Sequence, residues 1–230
     1  MIRRDFFVTG TDTGVGKTLA ACALLRAWRE RGRSVAGMKP VASGALGTPQ
    51  GLRNGDALAL AAESSRQWPY EVVNPYLFEP AIAPHIAAAE AGLEIRLEPI
   101  VQALSRLREG SDIVVVEGAG GFLVPLAPGR SFADLPAALG LEVVLVVGLR
   151  LGCLNHALLT AEAIAARGLA FAGWIGSAID AGFERLDDNL TSLERGLPAP
   201  CIGVIGRLAQ PDAGAAAAFL TRLPALTPSS

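Results

Sequence analysis

Six short runs rich in Val, Ile and Phe, at residues 6–9, 35–38, 113–116, 143–147, 171–175 and 202–205, alternate with segments of helical periodicity and predict an α/β protein. The strands are almost continuously apolar, as in a parallel sheet covered by helices on both faces, and a composition of 51% hydrophobic and 18% charged residues agrees. No composition break divides the 230 residues, so residues 1–230 are expected to form a single domain.

The first strand, 6–9, runs into Gly10-Thr11-Asp12-Thr13-Gly14-Val15-Gly16-Lys17-Thr18 and then a helix over 18–31. This G-x-x-x-x-G-K-T lies between a strand and a helix, the setting in which glycines let backbone N–H groups face phosphate oxygens. Lys17 then reaches the outer phosphates and Thr18 offers a hydroxyl to magnesium. The fold class is therefore a three-layer fold of the P-loop NTPase type. The second strand, 35–38, ends at Lys39, and the Gly- and Pro-rich stretch 40–55 reads as an active-site loop. Helices follow over 56–63 and 99–109; the third strand, 113–116, delivers Glu117 at its end. Strands 143–147 and 171–175 precede helices 155–167 and 184–195, and an Ala-rich helix over 214–223 follows the last strand. Such sheets gather chemistry beyond the carboxyl ends of their strands, where Gly10, Lys39 and Glu117 stand.

Composition narrows the function further. A net charge of -2 leaves no basic surplus for nucleic acid or an anionic membrane. The apolar stretch 143–149 is far too short to span a bilayer, no signal-peptide core fits the N-terminus, and the three cysteines are widely spaced with no CxxC pair. A cytoplasmic protein with reduced thiols is expected. Of 20 basic residues only Lys17 and Lys39 are lysines, so these two positions are candidates for sites that need a compact ammonium.

Seven blocks in one order resemble the dethiobiotin synthetases: GTDTGVGKT, MKPVASG at 38–44, GLRNGDALAL at 51–60, VNPYLF at 73–78, Pro84-His85, VEGAGG at 116–121 and LGCLNHALLT at 151–160. The resemblance implies a Mg2+-dependent ligase that makes a cyclic urea from 7,8-diaminopelargonate, CO2 and ATP, and a homodimer with its substrate site at the subunit interface. It implies that ATP lies on Gly14, Val15, Gly16, Lys17, Thr18 and Leu19, meets Asp56 and the stretch Glu117, Gly118, Ala119, Gly120, and has its base beside Ser177, Ile205, Gly206 and Arg207. Thr18, Asp56 and Glu117 would hold the metal, and Lys17 and Lys39 would act on the moving phosphoryl group. Thr13 and Ser43 would meet the substrate, and Gly152, Cys153, Leu154 and Asn155 its distal carboxylate from the partner subunit.

Each assignment has a plainer alternative. Asp56 and Asn155 also suit helix N-caps, Ser43 suits a turn, and Lys39 before Pro40 suits a solvated surface. His85 and His156, with no third group at hand for a triad or metal set, read as structural or peripheral. Partition ATPases share the fold, but their loops carry a signature lysine where this chain has Asp12. Cobyrinate-type ligases would need an additional amidotransferase domain. Where many dethiobiotin synthetases carry Asn-Asp beside the base, this chain has Ser177-Ala178, and an expected Ile-Pro is Ile205-Gly206, so base selectivity is expected to be loose.

Overall fold

The computed structural model describes residues 4–226. β1 (Phe6–Gly10) leads into α1 (Lys17–Glu30), then β2 (Val35–Met38), β3 (Val41–Ala42), β4 (Leu46–Thr48) and β5 (Gly51–Arg53). α2 (Gly55–Glu63), α3 (Tyr70–Val73), β6 (Tyr76–Leu77), α4 (Pro84–Glu90) and α5 (Leu97–Glu109) follow. Next come β7 (Ile113–Gly121), β8 (Pro125–Ala127), β9 (Arg130–Ser131), α6 (Asp134–Leu139), β10 (Glu142–Gly148) and α7 (Cys153–Ala165). β11 (Phe171–Ser177), α8 (Leu186–Gly196), β12 (Cys201–Ile205) and α9 (Ala213–Ala217) complete the order.

The six apolar strands form one sheet in the order β12-β11-β10-β1-β7-β2, every pair parallel. From β1 the chain steps to one side for β2 and β7 and to the other for β10, β11 and β12. The carboxyl end of β1 therefore opens at the switch point where such sheets place ligands. Side chains alternate between faces: Phe6 and Val8 pack with α1, α2 and α9, whereas Phe7 packs with α4, α5 and α6. α7 and α8 continue that second face over Leu145, Val147 and Trp174. Burying a large apolar side chain in this way contributes about 1.5–3 kcal/mol. At Gly37 an added Cβ would stand 2.8 Å from both Cβ and the carbonyl oxygen of Leu60, so glycine lets α2 lie directly on β2.

All six sheet strands lie where the sequence places them, and three expectations change. β7 runs on to Gly121, so Glu117 sits inside a strand rather than after one. Its extension depends on pairing with β1 across a register shift, from Val8 opposite Glu117 to Gly10 opposite Gly121. The stretch 40–55 is not one loop: β3 pairs with β6, and β4 and β5 form a hairpin. The last helix stops at Ala217 instead of 223; beyond it the Arg222 N–H donates to the Ile202 carbonyl, which covers the outer edge of β12.

Candidate active site

The loop from Gly10 to Thr18 joins β1 to α1. Gly14 and Gly16 have φ of 74° and 84°, a conformation that glycine adopts without strain, and Gly16 is the N-cap of α1. Lys17 folds back so that Nζ donates to the Asp12 carbonyl at 2.8 Å. Burial, with Lys39 nearby, lowers the Lys17 ammonium to about 8. Asp12, an acid in a phosphate loop, is turned elsewhere. Its carboxylate accepts from the Thr13 N–H at 2.7 Å and from the Arg150 guanidinium at 2.6 Å, and these contacts lower its pKa.

Beside the loop stand Lys39, from the end of β2, Asp56, from the first turn of α2, and Glu117 of β7. Lys39 Nζ donates to Asp56 Oδ2 at 2.8 Å, to Glu117 Oε1 at 2.7 Å and to the Gly118 carbonyl at 3.1 Å. Thr18 Oγ1 donates to the same Glu117 oxygen at 2.9 Å. Burial opposes the Lys39 charge, but Glu117 and Asp56 outweigh it and raise the lysine's pKa. Burial likewise works against the Asp56 carboxylate, and Lys39 more than compensates, so its pKa is lowered. For Glu117 burial wins over Lys39 and the pKa is raised, so this carboxylate has affinity left for further positive charge.

That surplus has an address. Glu117 Oε2 is buried with no hydrogen-bond partner among the described residues. Together with the Asp56 carboxylate and the Thr18 hydroxyl it makes a set of hard oxygen donors, which fits magnesium bound partly through substrate phosphates and water.

Most residues singled out in the sequence meet here. A cavity of about 420 Å3 is lined by Thr13, Gly14, Gly16, Lys17, Thr18, Lys39, Ser43, Asp56, Glu117, Ala119 and Gly120, with Ala42 and Asn54 beside them. Lys39, only 3% exposed, is not a solvated surface lysine. Asp56 is not the N-cap of α2. Asn54 is, with Oδ1 accepting from the Asp56 and Ala57 amides at 3.0 and 3.2 Å. Asn155 is not a cap either: Gly152, with φ 92°, precedes α7, and Asn155 lies exposed in its first turn. The Cys153 thiol is buried against β10, and its N–H donates to the Arg150 carbonyl.

The residues expected at the base stand apart from this cavity's lining. Ser177 is buried behind the phosphate loop, with Oγ 2.7 Å from where a Cβ on Gly16 would lie. Ile205 is in the core, Gly206 lies against the Phe219 ring and Arg207 is exposed. Leu19 lines a separate hollow of about 520 Å3 with Thr18, Cys22 and Asp212.

Two residues have a larger place in the structure than the sequence reading gives them: His156, read there as structural or peripheral, and Asn54, not singled out there. His156 lines a further hollow of about 460 Å3, between Thr11, Asp12 and Thr13 on one side and Leu159 on the other. Its place one turn into α7, a helix already marked by the LGCLNHALLT block, was the available signal. Asn54, the residue before the first turn of α2, is of a type that favours an N-cap.

Comparison with known proteins shows the family. The family model described as AAA domain matches residues 4–213. The chain is 55% identical to the ATP-dependent dethiobiotin synthetase BioD of Pseudomonas paraeruginosa over 95% of this chain and 96% of that protein. It is 54% identical to the protein of that name from Xanthomonas oryzae pv. oryzae, over 92% and 94%. For the one from Ralstonia nicotianae the identity is 52%, over 98% of each. Among solved structures, the MinD cell division protein of Aquifex aeolicus matches with a TM-score of 0.58 over 94% of this chain and 93% of that one. At 15% identity this likeness is one of fold alone. With more than half of its residues shared along nearly its whole length, the chain belongs to the ATP-dependent dethiobiotin synthetase family.

Proposed function

We infer that the protein closes a cyclic urea on 7,8-diaminopelargonate, consuming CO2 and ATP and releasing dethiobiotin, ADP and phosphate. The observation that carries this reading is the meeting of two lysines, two carboxylates and the Thr18 hydroxyl around one cavity at the phosphate loop. One substrate amine adds to CO2 and loses a proton, giving a carbamate. The carbamate oxygen attacks the γ-phosphorus, and ADP leaves with the bridging electron pair. The second amine then attacks the carbonyl of this mixed anhydride, phosphate departs, and the ring is closed.

None of these steps needs a protein nucleophile; they need positioning and positive charge where the phosphoryl group moves. Lys17 supplies that charge from the loop side and Lys39 from the strand side. Thr18, Asp56 and Glu117 would hold Mg2+, which neutralises phosphate charge when bound. Thr13 and Ser43 line the same cavity and would contact the diamine. The mostly apolar hollow that adjoins it at Thr13 suits the aliphatic chain.

A homodimer with a shared substrate site is part of this reading. It is supported by the exposed apolar side chains Leu151, Leu158 and Leu159 on and beside α7, around the exposed Asn155. No helix among the described residues is long and apolar enough to cross a membrane, and free thiols at Cys22, Cys153 and Cys201 suit the cytoplasm. The test is formation of dethiobiotin from the diamine, bicarbonate and Mg-ATP. ATP hydrolysis that ignored the diamine and responded instead to DNA or lipid would overturn the reading in favour of a partition-type ATPase.

A further inference from the structure

Two of the sequence blocks, GLRNGDALAL and VNPYLF, contain buried amides with no place in the reaction described above. Asn54 and Asn74 are 7% and 3% exposed. Buried amides persist only when satisfied, and the partners of these two lead to the catalytic lysine. Asn74 Nδ2 donates to the Lys39 carbonyl at 2.7 Å and to the Tyr76 carbonyl at 2.9 Å. Its Oδ1 accepts from the Tyr70 hydroxyl at 3.1 Å. That hydroxyl in turn accepts from the Asn54 N–H at 2.8 Å. Asn54 caps α2, so its Oδ1 holds the amide of Asp56, while its Nδ2 donates to the Ser43 carbonyl at 3.1 Å. Asp56 closes the circuit on Lys39 Nζ at 2.8 Å.

The result is a ring of polar contacts that grips one lysine at both ends, its carbonyl through Asn74 and its ammonium through Asp56. Resting on the functional reading above, we propose that Asn54, Tyr70 and Asn74 are positioning residues that fix Lys39, Asp56 and Ser43 relative to one another. Tyr70 is the link between the two amides, and the Arg53 guanidinium lies over its ring, 4.2 Å from the ring centre. Catalytic groups must be held within a fraction of an ångström, and β2, α2 and the loop after β3 have no shared backbone ladder to do it. The ring joins these three segments through side chains.

The test compares Tyr70→Phe, which removes the linking hydroxyl, with Tyr76→Phe. The latter removes a hydroxyl from the same region that, among the described residues, accepts from the Arg96 N–H, outside the ring. Binding of a non-hydrolysable ATP analogue is measured by calorimetry with and without Mg2+, beside dethiobiotin turnover. For Tyr70→Phe the gain in affinity on adding Mg2+ should shrink about fivefold or more, with metal-free affinity unchanged. Its kcat should fall about tenfold while the KM for ATP stays within about twofold. Tyr76→Phe should keep wild-type values even if its melting temperature falls equally. Equal Mg2+ gain and equal kcat in the two variants would overturn the proposal. If the wild-type protein made no dethiobiotin, the substrate reading would fall while the binding comparison still decided the ring.

Discussion

Replacing Asp56 by Asn changes its size little but removes its charge. Because Asn54 already caps α2, the helix does not depend on that charge, and the loss falls on the cluster of Lys39, Glu117 and Thr18. The Asp56→Asn protein is expected to melt within about 1 kcal/mol of wild type and to lose magnesium-dependent turnover. Turnover retained at the same magnesium requirement would contradict the metal role. Lys17 carries a second expectation. Burial lowers its pKa to about 8, so in the free protein its charge, and with it the pull on ATP phosphates, is present below pH 8 and lost as the pH rises through it. Calorimetric ATP affinity should be flat from pH 6.5 to 7.5 and fall above 8; constant affinity to pH 9.5 would refute this. Folding stability runs the other way. Between pH 8 and the ordinary 10.5 the unfolded chain holds more protons at this lysine, so its contribution to stability rises with pH.

Among the elements, β11 and β12 lead to the residues that the family resemblance puts beside the base. Ser177 ends β11 behind Gly16, and Gly206, just after β12, carries no side chain. Neither offers the paired donor and acceptor of an amide side chain, a contact that discriminates between bases by about 1–3 kcal/mol. CTP, GTP and UTP should therefore support turnover with kcat/KM within roughly tenfold to a hundredfold of ATP. A preference for ATP of about a thousandfold would show that other groups read adenine. Elements differ in how far a sequence discloses them. The buried strands and the phosphate loop are legible because apolar runs and glycine spacing are local signals. The far half of β7 is not, because Glu117 and three glycines look like a strand end until β1 pairs with them. The capping of α2 is half legible: the sequence reading considers a cap only at Asp56, and the extended backbone of Asn54, at φ -108° and ψ 136°, puts it two residues earlier. The approach of Lys39 to Asp56 and Glu117 belongs to tertiary structure, and only family resemblance anticipates it.

Across the whole molecule, the proposed dimer makes each substrate site depend on two chains. A protein altered at Lys39 and another altered at Asn155, each inactive alone, should regain activity when their subunits exchange, since one site in the mixed dimer is then intact. Absence of recovery after confirmed exchange would count against a shared site. The scarcity of lysine has a practical side. Both side-chain amines of the chain, Lys17 and Lys39, line the nucleotide cavity. Lys39 keeps its proton between two carboxylates, whereas Lys17 releases its own near pH 8. An acylating reagent applied at mildly alkaline pH would thus find, apart from the chain's α-amino group, one reactive amine, at the phosphate loop, and the stable amide it leaves there would serve as a direct gauge of nucleotide occupancy.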